Sequence, residues 1–194
     1  MPRALKPILL LLALISAAAL VLIVPTRQYD VRVSRSLADL GFEVRDHAAF
    51  PFELERLDGT PVRLENFQGR WVLVNFWASW CEPCRDEMPS MREFARSFSG
   101  DRLRLLAVSL DENDTEIRNF LIEQGITPED FVVVHDKDGA VSARYGSRLL
   151  PETWIVDPDG YVVGRVQGAV DWTRPAILEL FEVLLRDGWR ARRS

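Results

Sequence analysis

The sequence predicts an α/β domain in three layers (α/β/α), with helices on both sides of a mixed central sheet. It also predicts an N-terminal β-hairpin and a transmembrane segment ahead of the domain. Three observations carry this reading. The runs Trp71 to Trp77 and Leu103 to Leu110 are almost wholly apolar, the pattern of strands buried on both faces. Segments with helical spacing of apolar residues alternate with such runs, as in sheets wound with helices. Finally, Asp58-Gly59 and Asp157-Pro158-Asp159-Gly160 each join two stretches of hairpin character.

In chain order, Arg3 and Lys6 precede an uncharged stretch, Ile8 to Val24, whose only polar side chain is Ser16. At 1.5 Å per residue it covers about 26 Å as a helix, the short end of a bilayer span. A cleaved signal peptide would use Ala17-Ala18-Ala19, but the apolar run continues through Leu20 to Val24, which favours an uncleaved anchor. Either reading keeps Arg3 and Lys6 on the inner side of a cytoplasmic membrane and puts the globular part on the extracytoplasmic, periplasmic side. The expected division is 1–25 anchor or signal segment, 26–49 spacer, 50–187 folded domain and 188–194 basic tail. Within the spacer, Val31 and Val33 read as extended and Ser36 to Leu40 as a helical turn.

Phe52 to Leu57 and Thr60 to Leu64 read as a hairpin, Asn66 to Gly69 as a loop, and Trp71 to Trp77 as a buried central strand. A helix then runs from Cys81 to about Phe98, with Met88, Met91, Phe94 and Ala95 on one face and Pro89 inside it as an expected kink. Leu103 to Leu110 is the second buried strand, and Asp114 to Gln124 a helix stopped by Gly125. Phe131 to Val134 reads as a strand, Ala140 to Tyr145 as a helical turn, and Thr153 to Val156 with Tyr161 to Val166 as a second hairpin. Ala169 to Arg186 is the closing amphipathic helix, with Ile177, Leu178, Phe181, Leu184 and Leu185 along one side.

A formal charge of −5 excludes a polyanion-binding surface as the main function, and Arg190 to Arg193 reads as a solvated tail. The informative chemistry is Trp80-Cys81-Glu82-Pro83-Cys84, which holds the only two cysteines of the 194 residues. With Cys81 capping the helix and Cys84 one turn inside, the two sulfurs share a face and lie close enough to join. Pro83 suits the first turn, where its missing N–H has no intrahelical partner. The Cys81 sulfur then faces free N–H groups and the positive end of the helix dipole, which favour its thiolate. Cys81 is thus the expected nucleophile and Cys84 the resolving thiol. A structural disulfide is disfavoured because so short a loop constrains little chain entropy. Arg85 stands where a c-type haem motif needs histidine.

Trp77 to Cys84, Pro89 five residues after the second cysteine, and Leu150-Pro151-Glu152-Thr153 ahead of a strand together resemble thioredoxin-fold proteins. Within them the chain resembles the membrane-anchored, extracytoplasmic ResA/TlpA/DsbE group, over Phe50 to Asp187. The resemblance implies a thioredoxin fold with an extra strand and helix near Asp111 to Ala140, and a cis bond before Pro151 in a loop against the dithiol. Trp80, Pro83, Leu150 and Pro151 would then bind substrate. It also implies a protein-disulfide reductase without a cofactor, re-reduced by a membrane electron donor, acting on exported proteins such as apocytochrome c during cytochrome c maturation. Asn75 stands where thioredoxin has a buried aspartate and cannot accept a proton. Glu87, and with it Glu82, would supply that function, raising the thiol pKa values and favouring electron donation; otherwise both are solvated helix residues.

The alternative reading is a copper(I) chaperone, or a thiol reductant for a copper site, since two thiolates and one histidine suit that ion. His47 falls in the spacer and His135 at a strand end, so no complete tetrahedral metal site is expected.

Overall fold

The computed structural model describes residues 32–98, 100, 102–128 and 130–187, the side chain of Asp187 apart. The anchor or signal segment and the basic tail expected at the two ends lie outside these residues. Among those described, no helix is long and apolar enough to cross a membrane.

One eight-stranded mixed sheet organises the fold, in the order β1-β8-β7-β4-β5-β6-β2-β3. Its strands are β1 Glu43–Ala48, β2 Glu53–Glu55, β3 Pro61–Arg63, β4 Trp71–Trp77, β5 Leu103–Ser109, β6 Val132–His135, β7 Glu152–Val156 and β8 Tyr161–Gln167. The β4, β5 and β6 strands run parallel, and the pairs outside them are antiparallel. Helices α1 (32–39), α2 Glu82–Ser97, α3 Asp114–Gln124, α4 Ala140–Tyr145 and α5 Pro175–Asp187 cover it.

All seven residues of β4 are buried, as its composition requires, and strand alternation divides them between two cores. Trp71, Leu73 and Trp77 pack with Leu37 of α1, Met88, Met91 and Phe94 of α2, Phe120 of α3 and Phe181 of α5. Val72, Val74 and Phe76 pack on the other side with Phe52, Phe67, Trp154 and Tyr145 of α4. Asn75 is the one polar residue of the strand, and alternation puts it on the side of α2.

The fold differs from the sequence reading at three places. The described part of the stretch expected as a spacer belongs to the domain: Val33, Leu37 and Phe42 are buried in its core and β1 pairs with β8. Val33 is accordingly helical rather than extended. The closing helix starts at Pro175, because residues 169–174 form a loop that drives Trp172 into the core. Asn66 and Phe67, read as loop, close a 3-10 turn over Leu64–Phe67.

Parallel pairing aligns the ends of the central strands. Trp77, Ser109 and His135 are in register across β4, β5 and β6, and Phe76 pairs with Glu152 at the start of β7. The segments that follow β4 and β5, and the one that precedes β7, therefore meet at one sheet edge. This is the carboxyl edge of the parallel strands, where open α/β sheets gather their chemistry.

Candidate active site

Cys81 is the N-cap of α2, in extended conformation, and Cys84 lies inside the first turn. Their Cα atoms are 5.3 Å apart and the two sulfurs are joined in a disulfide. Cys81 Sγ accepts a hydrogen bond from the Cys84 N–H at 3.3 Å, using one of the amides that a helix start leaves unpaired. Cys84 is completely buried, whereas Trp80, immediately before the pair, is 66% exposed. Glu82 and Pro83 are exposed on the first turn, and Pro89 lies inside the helix.

Glu87 lies three residues beyond Cys84 on the buried side of α2, only 3% exposed. Its Oε1 accepts the indole N–H of Trp172 at 2.8 Å and the backbone N–H of Val170 at 3.0 Å. Its Oε2 faces the Asn75 amide nitrogen at 3.4 Å. Burial pushes the Glu87 carboxyl up from 4.5 to about 7, against the pull of these three N–H donors, which favour the charged form. Trp172 and Val170 escaped sequence reasoning because they stand more than eighty residues from Glu87 in a stretch that reads as helix.

The bond between Leu150 and Pro151 is cis. Leu150 packs against the cluster that contains both cysteines, and Leu149 is exposed. Glu152, wholly buried, holds this loop: it pairs with Arg165 Nε at 2.6 Å and accepts the Ser147 hydroxyl at 2.8 Å. Trp80, Leu149 and Leu150 thus leave apolar surface at the edge that carries the dithiol.

Another buried carboxylate, Asp111, fixes the approach to Cys81, and no local motif announces it. Its two oxygens accept the Ser79 N–H at 3.0 and 3.1 Å, and it also accepts the hydroxyls of Ser79 and Ser109. The Asp111→Ala variant is expected to lose about 1–3 kcal/mol of stability in denaturant unfolding, because these donors keep their burial without a partner. Arg85 adds to the same segment through Ser79 O at 3.4 Å, and it lies over Phe120 and pairs with Glu123.

His135 does not join the cysteines. At the end of β6 its ring nitrogens are held by Asp114 Oδ1 at 2.6 Å and the Asp111 carbonyl at 2.8 Å. A two-thiolate, one-histidine copper site is therefore not assembled. Among the described residues no group of three or more His, Cys, Asp or Glu side chains stands ready for a metal.

Comparison with known proteins agrees with this geometry. The chain is 36% identical over 120 residues to the thiol-disulfide oxidoreductase ResA of Oceanobacillus iheyensis, covering 62% of this chain and 61% of that one. It is 34% identical to the ResA of Geobacillus thermodenitrificans, over 61% of this chain and 67% of the relative. The chain thus spans about three fifths to two thirds of the length of the curated relatives it matches. A structure from Chlorobium tepidum, described as a thiol:disulfide interchange protein DsbE, superposes with a TM-score of 0.65 at 27% identity. That superposition covers 74% of this chain and 99% of the other, and identifies a mixed α/β, thioredoxin-like fold. Residues 45–165 match the AhpC/TSA family model, and the chain belongs to that family.

Proposed function

We propose that the chain is a thiol–disulfide oxidoreductase that reduces disulfides in proteins. The observation that carries this reading is the Cys81–Cys84 pair capping α2, with Glu87 buried one turn below it. The Cys81 thiolate attacks a substrate disulfide; one substrate S–S bond breaks, a mixed disulfide forms, and one substrate sulfur leaves as thiolate. Cys84 then attacks the Cys81 sulfur, the substrate departs as a dithiol, and the Cys81–Cys84 disulfide remains, two electrons poorer. The Glu87 carboxyl, near neutrality, takes up the proton that Cys84 must release and later returns it. Trp80, Leu149 and Leu150 form the surface on which an extended substrate segment lies, beside the buried cis-Pro151, and the Leu150 backbone is the one that pairs with it.

The same reading extends to place and partner. The uncharged run Ile8 to Val24 behind Arg3 and Lys6 supports a membrane anchor with the domain on the extracytoplasmic side. In that compartment disulfides form readily, so a reductant needs a membrane electron donor to restore its dithiol. Exported substrates of the apocytochrome c type are what the resemblance of Trp77 to Cys84, Pro89 and Leu150 to Thr153 to the ResA/TlpA/DsbE group implies.

Equilibration of the full chain with glutathione or dithiothreitol buffers tests the direction of electron flow. The expected potential lies closer to that of thioredoxin, about −270 mV, than to about −120 mV; the latter would mark a disulfide donor and refute the reductase reading.

A further inference from the structure

Glu87 has no charged partner among the described residues: burial raises its pKa, and the three opposing contacts are neutral N–H donors. The two carboxyl oxygens are not equivalent. Oε1 already accepts from Trp172 and Val170, so a proton there would displace one of these bonds. Oε2 meets only Asn75, and therefore carries the proton when the carboxyl is neutral. In that state Oε2–H would point at an amide N–H, donor against donor.

Asn75 contains the remedy. Its Oδ1 is buried and has no hydrogen-bond partner among the described residues, while its Nδ2 is shared between Glu87 Oε2 and Thr153 Oγ1, the latter at 2.9 Å. Turning the amide over by about 180° exchanges the two atoms, and oxygen then faces both Oε2 and the Thr153 hydroxyl. A hydroxyl accepts or donates by rotation, so Thr153 suits either orientation; it is the register partner of Asn75 across β4 and β7. One amide atom lacks a partner both before and after, so the turn moves the orphan rather than creating one.

We propose that Asn75 is a positioning residue for the Glu87 proton: its side-chain amide turns over as Oε2 gains or loses that proton, and Thr153 follows. The inference rests on the reading of Glu87 as the proton partner of the dithiol. Glu87 bonds to Asn75 on β4 and to Val170 and Trp172 from the 169–174 loop; Thr153 on β7 is bound to Asn75, and Cys84 precedes Glu87 by three residues on α2. Asp171 of that loop is exposed and bound to Thr173, and Glu152 beside Thr153 is paired with Arg165.

The test is a titration of the full chain, disulfide intact, from pH 5 to 9, by nuclear magnetic resonance. Glutamate side-chain carboxyls are labelled with carbon-13 and asparagine amides with nitrogen-15. The expected result is one shared midpoint for the Glu87 carboxyl and the Asn75 side-chain amide, with the Asn75 response lost in Glu87→Gln. In Asn75→Ala both protonation states lose their amide partner, so the Glu87 midpoint should move by less than the roughly 0.5 to 1 unit expected on removing a fixed donor to the charged form alone. A Glu87 carboxyl that titrates while the Asn75 amide stays fixed overturns the inference and leaves the role of Glu87 intact. Absence of a Glu87 titration in this range overturns both. The wild-type titration decides the matter even if Asn75→Ala does not fold.

Discussion

Replacing Cys81 by serine is expected to reduce the rate of protein-disulfide reduction by roughly a thousandfold or more, since the hydroxyl that remains is a far weaker nucleophile than a thiolate. Replacing Cys84 by serine should act differently. Cys81 still caps α2 and still faces the amide of residue 84, so the first attack proceeds and the reaction stops at a mixed disulfide. Stopped-flow measurement with a disulfide-bonded protein separates the two steps: a rapid single phase without turnover in the Cys84 variant, and no phase in the Cys81 variant. The assignment rests on the asymmetry of the pair: Cys81, itself only 6% exposed, caps the helix and accepts the Cys84 N–H, whereas Cys84 lies fully buried inside the first turn. Equal loss of the first phase in both variants would mean that the two sulfurs share the attacking role.

Replacing Glu87 by glutamine should change how stability depends on pH. In the folded chain the carboxyl titrates at about 7, against 4.5 for an ordinary glutamate. Between these values the folded state holds a proton on Glu87 that the unfolded state has released, so the contribution of Glu87 to stability falls as pH rises across this window and is level outside it. The displacement corresponds to about 3 kcal/mol. Glutamine keeps an oxygen for Trp172 and Val170 but carries no charge. The variant should therefore gain up to about 3 kcal/mol relative to wild type on going from pH 4 to pH 8, by denaturant unfolding of the disulfide form. In reduction assays, the limb near pH 7 should disappear with it. Parallel stability curves would show that the Glu87 carboxyl is not held in its neutral form by burial. A carboxyl that weakens the fold at neutral pH, kept below a reactive pair, is the kind of local cost that proteins accept at functional sites.

What the sequence disclosed depended on how local the cause was. The central strand β4 was legible because its burial on both faces leaves almost no polar residue among Trp71 to Trp77. The start of α2 was legible from Cys81, Pro83 and Cys84 together, since a proline in the first turn fixes the frame of the cap. The β1 strand was missed because it is an edge strand with half its surface in solvent; Glu43, Arg45 and Asp46 made it read as linker. The error at the closing helix had a readable signal: Pro175 marks a first helical position, and Asp171 and Thr173 form a turn ahead of it. The surroundings of Glu87 had none. Trp172 and Val170 reach it, and Thr153 reaches its neighbour Asn75, only through tertiary folding, so spacing along α2 could place the carboxyl beneath Cys84 but could not say that it would be buried and bound to uncharged donors. Asp111 was hidden in the same way, since its partners come from the end of β5 and from the segment leading into Cys81.

The most direct measurement is stoichiometric exchange between the reduced full chain and a protein carrying a single accessible disulfide, followed by thiol-specific mass labelling of both. The predicted result is one dithiol appearing on the partner for each Cys81–Cys84 disulfide formed. A partner disulfide that survives while Cys81 and Cys84 both remain thiols would contradict the account.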